Sequence, residues 1–248
     1  MRKKFLVLTF LVCTSLAASA QVTSIKGASS SNKGFGERGG GSGLGSIYGA
    51  YVFLDFAVRV LPAWQIKTLE RRGDVPNILS LEVFGQVAVQ PSTYYVFNPR
   101  VRGNWGLFFT DFRMNYMLEE RIGHPDDLRT DDWQVLGLNV LNYRNVTARI
   151  STGFMHEAFG EGRIFQESVF GLSVMNNSQS IGGFGEIRWA QDHETGKMPR
   201  LEGSFNLQRR LIDKNKMHVF ATGGMMFQRY YNDINVWGFQ GGLAFKLY

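Results

Sequence analysis

Three pairs of side chains carry the residue types that hydrolytic chemistry needs: Asp131-Asp132, His156-Glu157 and Asp192-His193. A histidine oriented by an aspartate can take a proton from water and activate it for attack on a peptide carbonyl. All three pairs lie between apolar runs, in stretches expected to be loops near one rim. Adjacent residues on a regular strand point to opposite faces, which sets Asp192 against His193. Solvated loop residues are the plainer reading, since connecting segments are polar in most proteins.

A second set of charges recurs at fixed parity against apolar residues: Asp55, Arg59, Glu82, Asp111, Arg113, Arg149, Glu186, Arg188 and Glu202. If the apolar runs are strands, these side chains share the opposite face. Both signs are interspersed, so mutual pairing is expected, because an unpaired buried charge is costly. A ring of one sign would instead suit a selective pore. Other motifs are weaker. Arg72-Gly73-Asp74 spells an adhesion tripeptide but reads as a turn. The glycine run of residues 39–45 has no preceding strand and no Lys-Ser/Thr, so it is no phosphate loop. The 4 histidines are scattered and give no metal-ligand spacing, and no cofactor is expected.

The elements that must position these residues are strands. Tyr48, Ala50, Val52, Leu54, Phe56, Val58 and Val60 form one apolar stripe against Gly49, Asp55, Ala57 and Arg59. Leu79, Leu81, Val83, Val87 and Val89 repeat the alternation against Ser80, Glu82, Gln86 and Gln90. Further alternating runs start near Phe108, Trp133, Val146, Phe170, Ile187, Leu201, Val219 and Ile234. The expected fold is all-β: a transmembrane antiparallel up-and-down β-barrel of about ten strands, with eight or twelve as bounds. Short turns should follow every second strand, and longer loops, one holding Lys67, Arg71 and Arg72, should face lipopolysaccharide phosphates. Two connections fit poorly: PSTYYVFNPRVRG is long for a short turn, and YYND is short for a loop.

The last stretch, INVWGFQGGLAFKLY, puts Trp237, Phe239, Leu243, Phe245 and Leu247 on one parity and ends on an aromatic residue. It resembles the closing strand of bacterial outer-membrane β-barrel proteins. The resemblance implies a monomer set in lipid by barrel-insertion machinery that reads this strand. Val52, Leu54, Phe56, Val58, Leu81, Val83, Phe239, Leu243 and Phe245 would then face lipid. Tyr248 departs from the pattern by standing on the polar parity. An Asp pair facing an Asp/His pair at the rim of such a barrel also resembles the omptin family of outer-membrane proteases. Omptins separate their Asp and His by one residue, whereas Asp192 and His193 are adjacent.

Residues 1–20, MRKKFLVLTFLVCTSLAASA, read as a secretory signal peptide cleaved after Ala20. Its apolar run is too short for the roughly 20 residues of a spanning helix. The single cysteine, Cys13, falls within it, leaving no thiol chemistry in the exported chain. Residues 21–46 are Ser/Gly/Lys-rich and read as a flexible leader, with the barrel over 47–248. Removing Arg2, Lys3 and Lys4 leaves 24 basic against 21 acidic residues, which with no basic stripe argues against nucleic acid. The expected address is the bacterial outer membrane, with a structural or surface-interaction role and a narrow, side-chain-filled interior. A small-solute channel, a surface hydrolase and a soluble secreted β-protein are the alternatives.

Overall fold

The computed structural model describes residues 21–31, 79–90, 94–119, 126–231 and 233–248, together with 63, 64, 66, 67 and 70. A helix, α1 (Gln21–Ser31), precedes ten strands: β1 (Leu79–Gln90), β2 (Tyr94–Trp105), β3 (Phe108–Glu119), β4 (Asp126–Asn142), β5 (Val146–Glu157), β6 (Ile164–Met175), β7 (Ile181–Gln191), β8 (Arg200–Lys214), β9 (Met217–Tyr230) and β10 (Ile234–Leu247). Each strand pairs with its sequence neighbours, and β1 pairs with β10 antiparallel, so the sheet closes into an up-and-down barrel. At that seam Gly242 is required. A Cβ there would press on the backbone of Gly85 and Gln86.

The period-2 pattern decides which way each side chain points. In β1, Glu82, Phe84, Gln86, Ala88 and Gln90 are buried, while Leu79, Leu81, Val87 and Val89 are exposed. The same inversion runs around the ring: Phe97, Val101, Phe112, Phe154, Phe170, Leu172, Ile187, Phe205, Leu207 and Phe227 stand on the exposed side. A polar interior beneath an apolar exterior is the reverse of a water-soluble barrel. Of the residues expected to face outward, Leu81, Phe239, Leu243 and Phe245 are exposed and Val83 is partly so. Val52, Leu54, Phe56 and Val58 lie outside the described residues.

The barrel has two different ends. At one, which we call the turn end, connections of two to five residues join β2 to β3, β4 to β5, β6 to β7 and β8 to β9; β1 begins and the chain terminates there. Gly106 and Asn215 supply the left-handed backbone its two tightest turns use, with φ of 67° and 34°. At the other, the helix end, connections run from three residues (91–93) to eight (192–199), and α1 is seated there.

The strand set differs from the sequence expectation in one place. The stripe at Tyr48–Val60 lies outside the described residues, and the ring closes without it. Its place in the count is taken by β2, inside the segment expected to be a connection. Pro99 stands within this strand although proline cannot donate to a ladder. Here the β2–β3 ladder passes Phe97↔Tyr116 and resumes at Arg100↔Arg113, on either side of Asn98 and Pro99. The misfit of PSTYYVFNPRVRG is thereby removed, since residues 94–103 belong to a strand that a two-residue turn follows. Leu79–Gln90 consequently runs in the opposite sense to the one expected. The YYND connection remains short.

Residues 21–31, expected to be part of a flexible leader, are helical. Val22, Ile25 and Ser29, spaced i, i+3, i+7, form one buried face. Val22 and Ile25 pack with Ala28 on Tyr94, Val96, Met117, Leu128, Tyr230 and Val236, all inward-facing at one barrel end. Composition underestimates this helix because its stability comes from the seat, not from propensity.

Candidate functional site

The chemistry-bearing side chains converge inside the barrel. Alternation alone sends Glu82 (β1), Arg100 and Arg102 (β2), Asp111 and Arg113 (β3), Asp132 (β4), Glu167 (β6), Glu186 and Arg188 (β7), and Arg200 and Glu202 (β8) inward, and all are buried. They form two linked clusters. In the one nearer the turn end, Arg100 Nε donates to Asp111 Oδ1 at 2.8 Å and its Nη2 donates to Glu186 Oε2 at 2.8 Å. Arg102 donates to Asp111 at 3.0 Å and to Glu82 at 3.2 Å.

In the second cluster, Arg113 donates from Nε and Nη2 to Asp132 Oδ2, at 2.9 and 2.6 Å, and also bonds both oxygens of Glu202. Arg200 Nη2 reaches Glu167 Oε1 at 2.6 Å and stands 2.7 Å from Asp132 Oδ1. Arg188 ties the clusters together, with Glu186 on one side and Glu167, 3.4 Å away, on the other. Some of these bonds cross the full interior. β3 and β8 are diametrically opposite in the ring, as are β2 and β7, so Arg113–Glu202 and Arg100–Glu186 are struts between facing walls.

Neutral side chains continue the pattern. Gln86 Nε2 donates to Asn206 Oδ1 and Thr222 Oγ1, both at 3.2 Å, and Gln228 donates to Glu202 at 2.8 Å. Guanidinium groups suit such a site because a rigid fork of donors can serve several carboxylates at once.

At the helix end the acids meet α1. The Val22 N–H, one of the donors a first helical turn leaves unpaired, donates to Glu119 Oε2 at 2.9 Å. Thr23 donates to Asp126 at 2.7 Å, with Lys26 3.5 Å from the same carboxylate. Glu157 accepts from Ser29 at 2.9 Å and from the Tyr231 hydroxyl at 2.6 Å. Burial, with the Glu157 charge beside it, pushes the Tyr231 phenol up from its ordinary value.

The six residues singled out for hydrolysis do not gather into one site, and of them Asp131 and His156 approach each other across the β4–β5 pair. Asp131, Asp132, His156 and Glu157 were expected in loops but belong to β4 and β5. Their strands extend past the apolar stretch, which had set the expected limits. Asp132 points inward among Arg113, Arg188 and Arg200, while Asp131 points outward, 2.9 Å from Arg129 and 3.8 Å from His156 Nδ1. Glu157 is occupied by α1 and Tyr231. Asp192 and His193 separate as expected. His193 Nε2 donates to Gln166 at 2.6 Å.

Asp192 organises its own loop, accepting from the Thr195 hydroxyl at 2.7 Å, the N–H groups of Glu194 and Thr195 at 2.9 and 3.3 Å, and Arg163 at 3.2 Å. Burial opposes its charge, but these donors hold its carboxyl below the ordinary aspartate value.

Of the expected inward charges, Glu82, Asp111, Arg113, Arg149, Glu186, Arg188 and Glu202 enter the interior; Asp55 and Arg59 lie outside the described residues. Arg100, Arg102, Asp132, Glu167, Arg200 and Lys246 are additional members. The parity of Asn98, Arg100, Arg102 and Asn104 against Phe97, Val101 and Trp105 was the signal for two of them. Lys67 is exposed, and Arg71 to Asp74 lie outside the described residues. Among the described residues no group of three or more His, Cys, Asp or Glu could hold a metal.

No protein-family model matches this chain, and no curated protein matches it.

Proposed function

We propose that this chain is an integral outer-membrane β-barrel whose interior is plugged by its own side chains and whose helix end is stoppered by α1, serving a structural or surface-interaction role. The observation that carries this reading is the inverted polarity of the barrel, with large apolar side chains exposed around the ring and ion pairs inside. In water such an exterior would associate; against lipid it is the favoured outer surface. The stretch read as a signal peptide accounts for export, and short turns together with the C-terminus fit the periplasmic side.

The interior argument rests on charge. Struts between facing walls leave little room for a continuous water column, and mixed signs do not make a selectivity ring.

Two experiments test the reading. In cells, the protein should stay in the membrane pellet through carbonate and high-salt washes, and its unboiled form should migrate differently from the boiled form on a gel. Release by carbonate alone would exclude an integral barrel. In planar bilayers the purified protein should give no steady conductance, and reproducible single-channel steps would exclude the plug while leaving the membrane reading intact.

A further inference from the structure

The turn end holds a cavity of about 360 Å³, open to that side, with the ion-pair network behind it. Its size falls within the range of small-ligand pockets, about 300–1,000 Å³. Its charge is one-sided. Arg144, Arg149, Arg210, Lys216 and Lys246 line it, and Glu82 is the one acidic side chain among its lining residues.

Glu82 is already shared between three cations: Arg102 at 3.2 Å, Lys246 at 3.4 Å and Arg149 at 3.9 Å. Arg149 makes one further bond, from Nε to Asn139 Oδ1 at 3.2 Å, a neutral partner. At the rim Asp213 lies 3.0 Å from Arg210 and 2.8 Å from His218. One acidic side chain cannot neutralise the cations of the floor, of which Arg149 and Lys246 line the cavity.

We infer that the turn-end cavity is a binding site for a small anion, with a phosphate or carboxylate group seated over Arg149 and Lys246. The site depends on the barrel's internal geometry and stands whether or not the exterior meets lipid.

Calorimetric titration of the folded protein in detergent micelles tests this, with inorganic phosphate and citrate as probes and glucose as the neutral control. At least one probe should bind about tenfold or more tightly than glucose, and its affinity should fall with added salt. The tighter probe identifies the head group as phosphate or carboxylate. Lys246→Met should weaken the better probe about tenfold. The exposed-rim variant Lys216→Ser, distant from the buried network, should weaken binding by a smaller factor and serves if a floor variant does not fold. No heat from either probe at millimolar concentration, or binding indifferent to salt and to Lys216→Ser, would overturn the inference.

Discussion

Asp192 shows how one buried acid can hold a loop. Its folded-state pKa is depressed, so its contribution is present above the ordinary aspartate value of 3.8 and is lost as pH falls through the lower folded value. Amide exchange at Glu194 and Thr195 should therefore stay slow at neutral pH and accelerate in that acid window. Asp192→Asn should give fast exchange at neutral pH; unchanged protection would show that the backbone turn holds by itself. Inside the barrel, Arg113 carries the heavier role, because it serves Asp132 and Glu202 from opposite walls. Arg113→Ala leaves Glu202 without its arginine partner and Asp132 with Arg200 and Arg188 alone, and should cost about 3–5 kcal/mol, the usual loss when one member of a buried pair is removed. Urea unfolding from lipid vesicles measures it. A loss below about 1 kcal/mol, the scale of exposed pairs, would mean that water reaches the site.

At the scale of elements, α1 and β2 are the instructive pair. Nine of the ten barrel strands were legible because apolar side chains alternate with small or polar ones, as a barrel with an apolar exterior and a polar interior demands. β2 was hidden by Pro99 and by the two arginines of its inward face, which resemble loop composition until their parity is counted. Asp131 and Asp132 were misplaced for a related reason: β4 runs from Asp126, past the end of its apolar stretch. The helix could not be read at all, since the residues that receive Val22 and Ile25 lie at least 60 positions away. If that seat holds α1, Ile25→Glu should release it. Exchange of the α1 amides should rise steeply while the gel shift of the folded barrel is kept. Loss of the gel shift as well would make the helix part of the barrel's folding unit.

The whole molecule is an inside-out arrangement, and its exterior should be intolerant where its interior is selective. Phe170 lies in the middle of β6 on the exposed side. Phe170→Arg should cost about 2–4 kcal/mol in lipid vesicles, falling towards zero for an arginine placed near either end of the same strand. A cost independent of depth would point to packing rather than to a bilayer. Architecture was therefore the most legible property of the chain, while the contacts of scattered acids and histidines were the least, because pairing across a closed ring depends on which strands stand opposite.

The two ends of the barrel carry one more implication. An even number of strands returns a chain to the side from which it set out, yet α1 and Tyr248 occupy opposite mouths. The two mouths are therefore unlike, one stoppered by a helix and the other floored by charged side chains, and whatever reaches the interior would approach from the second.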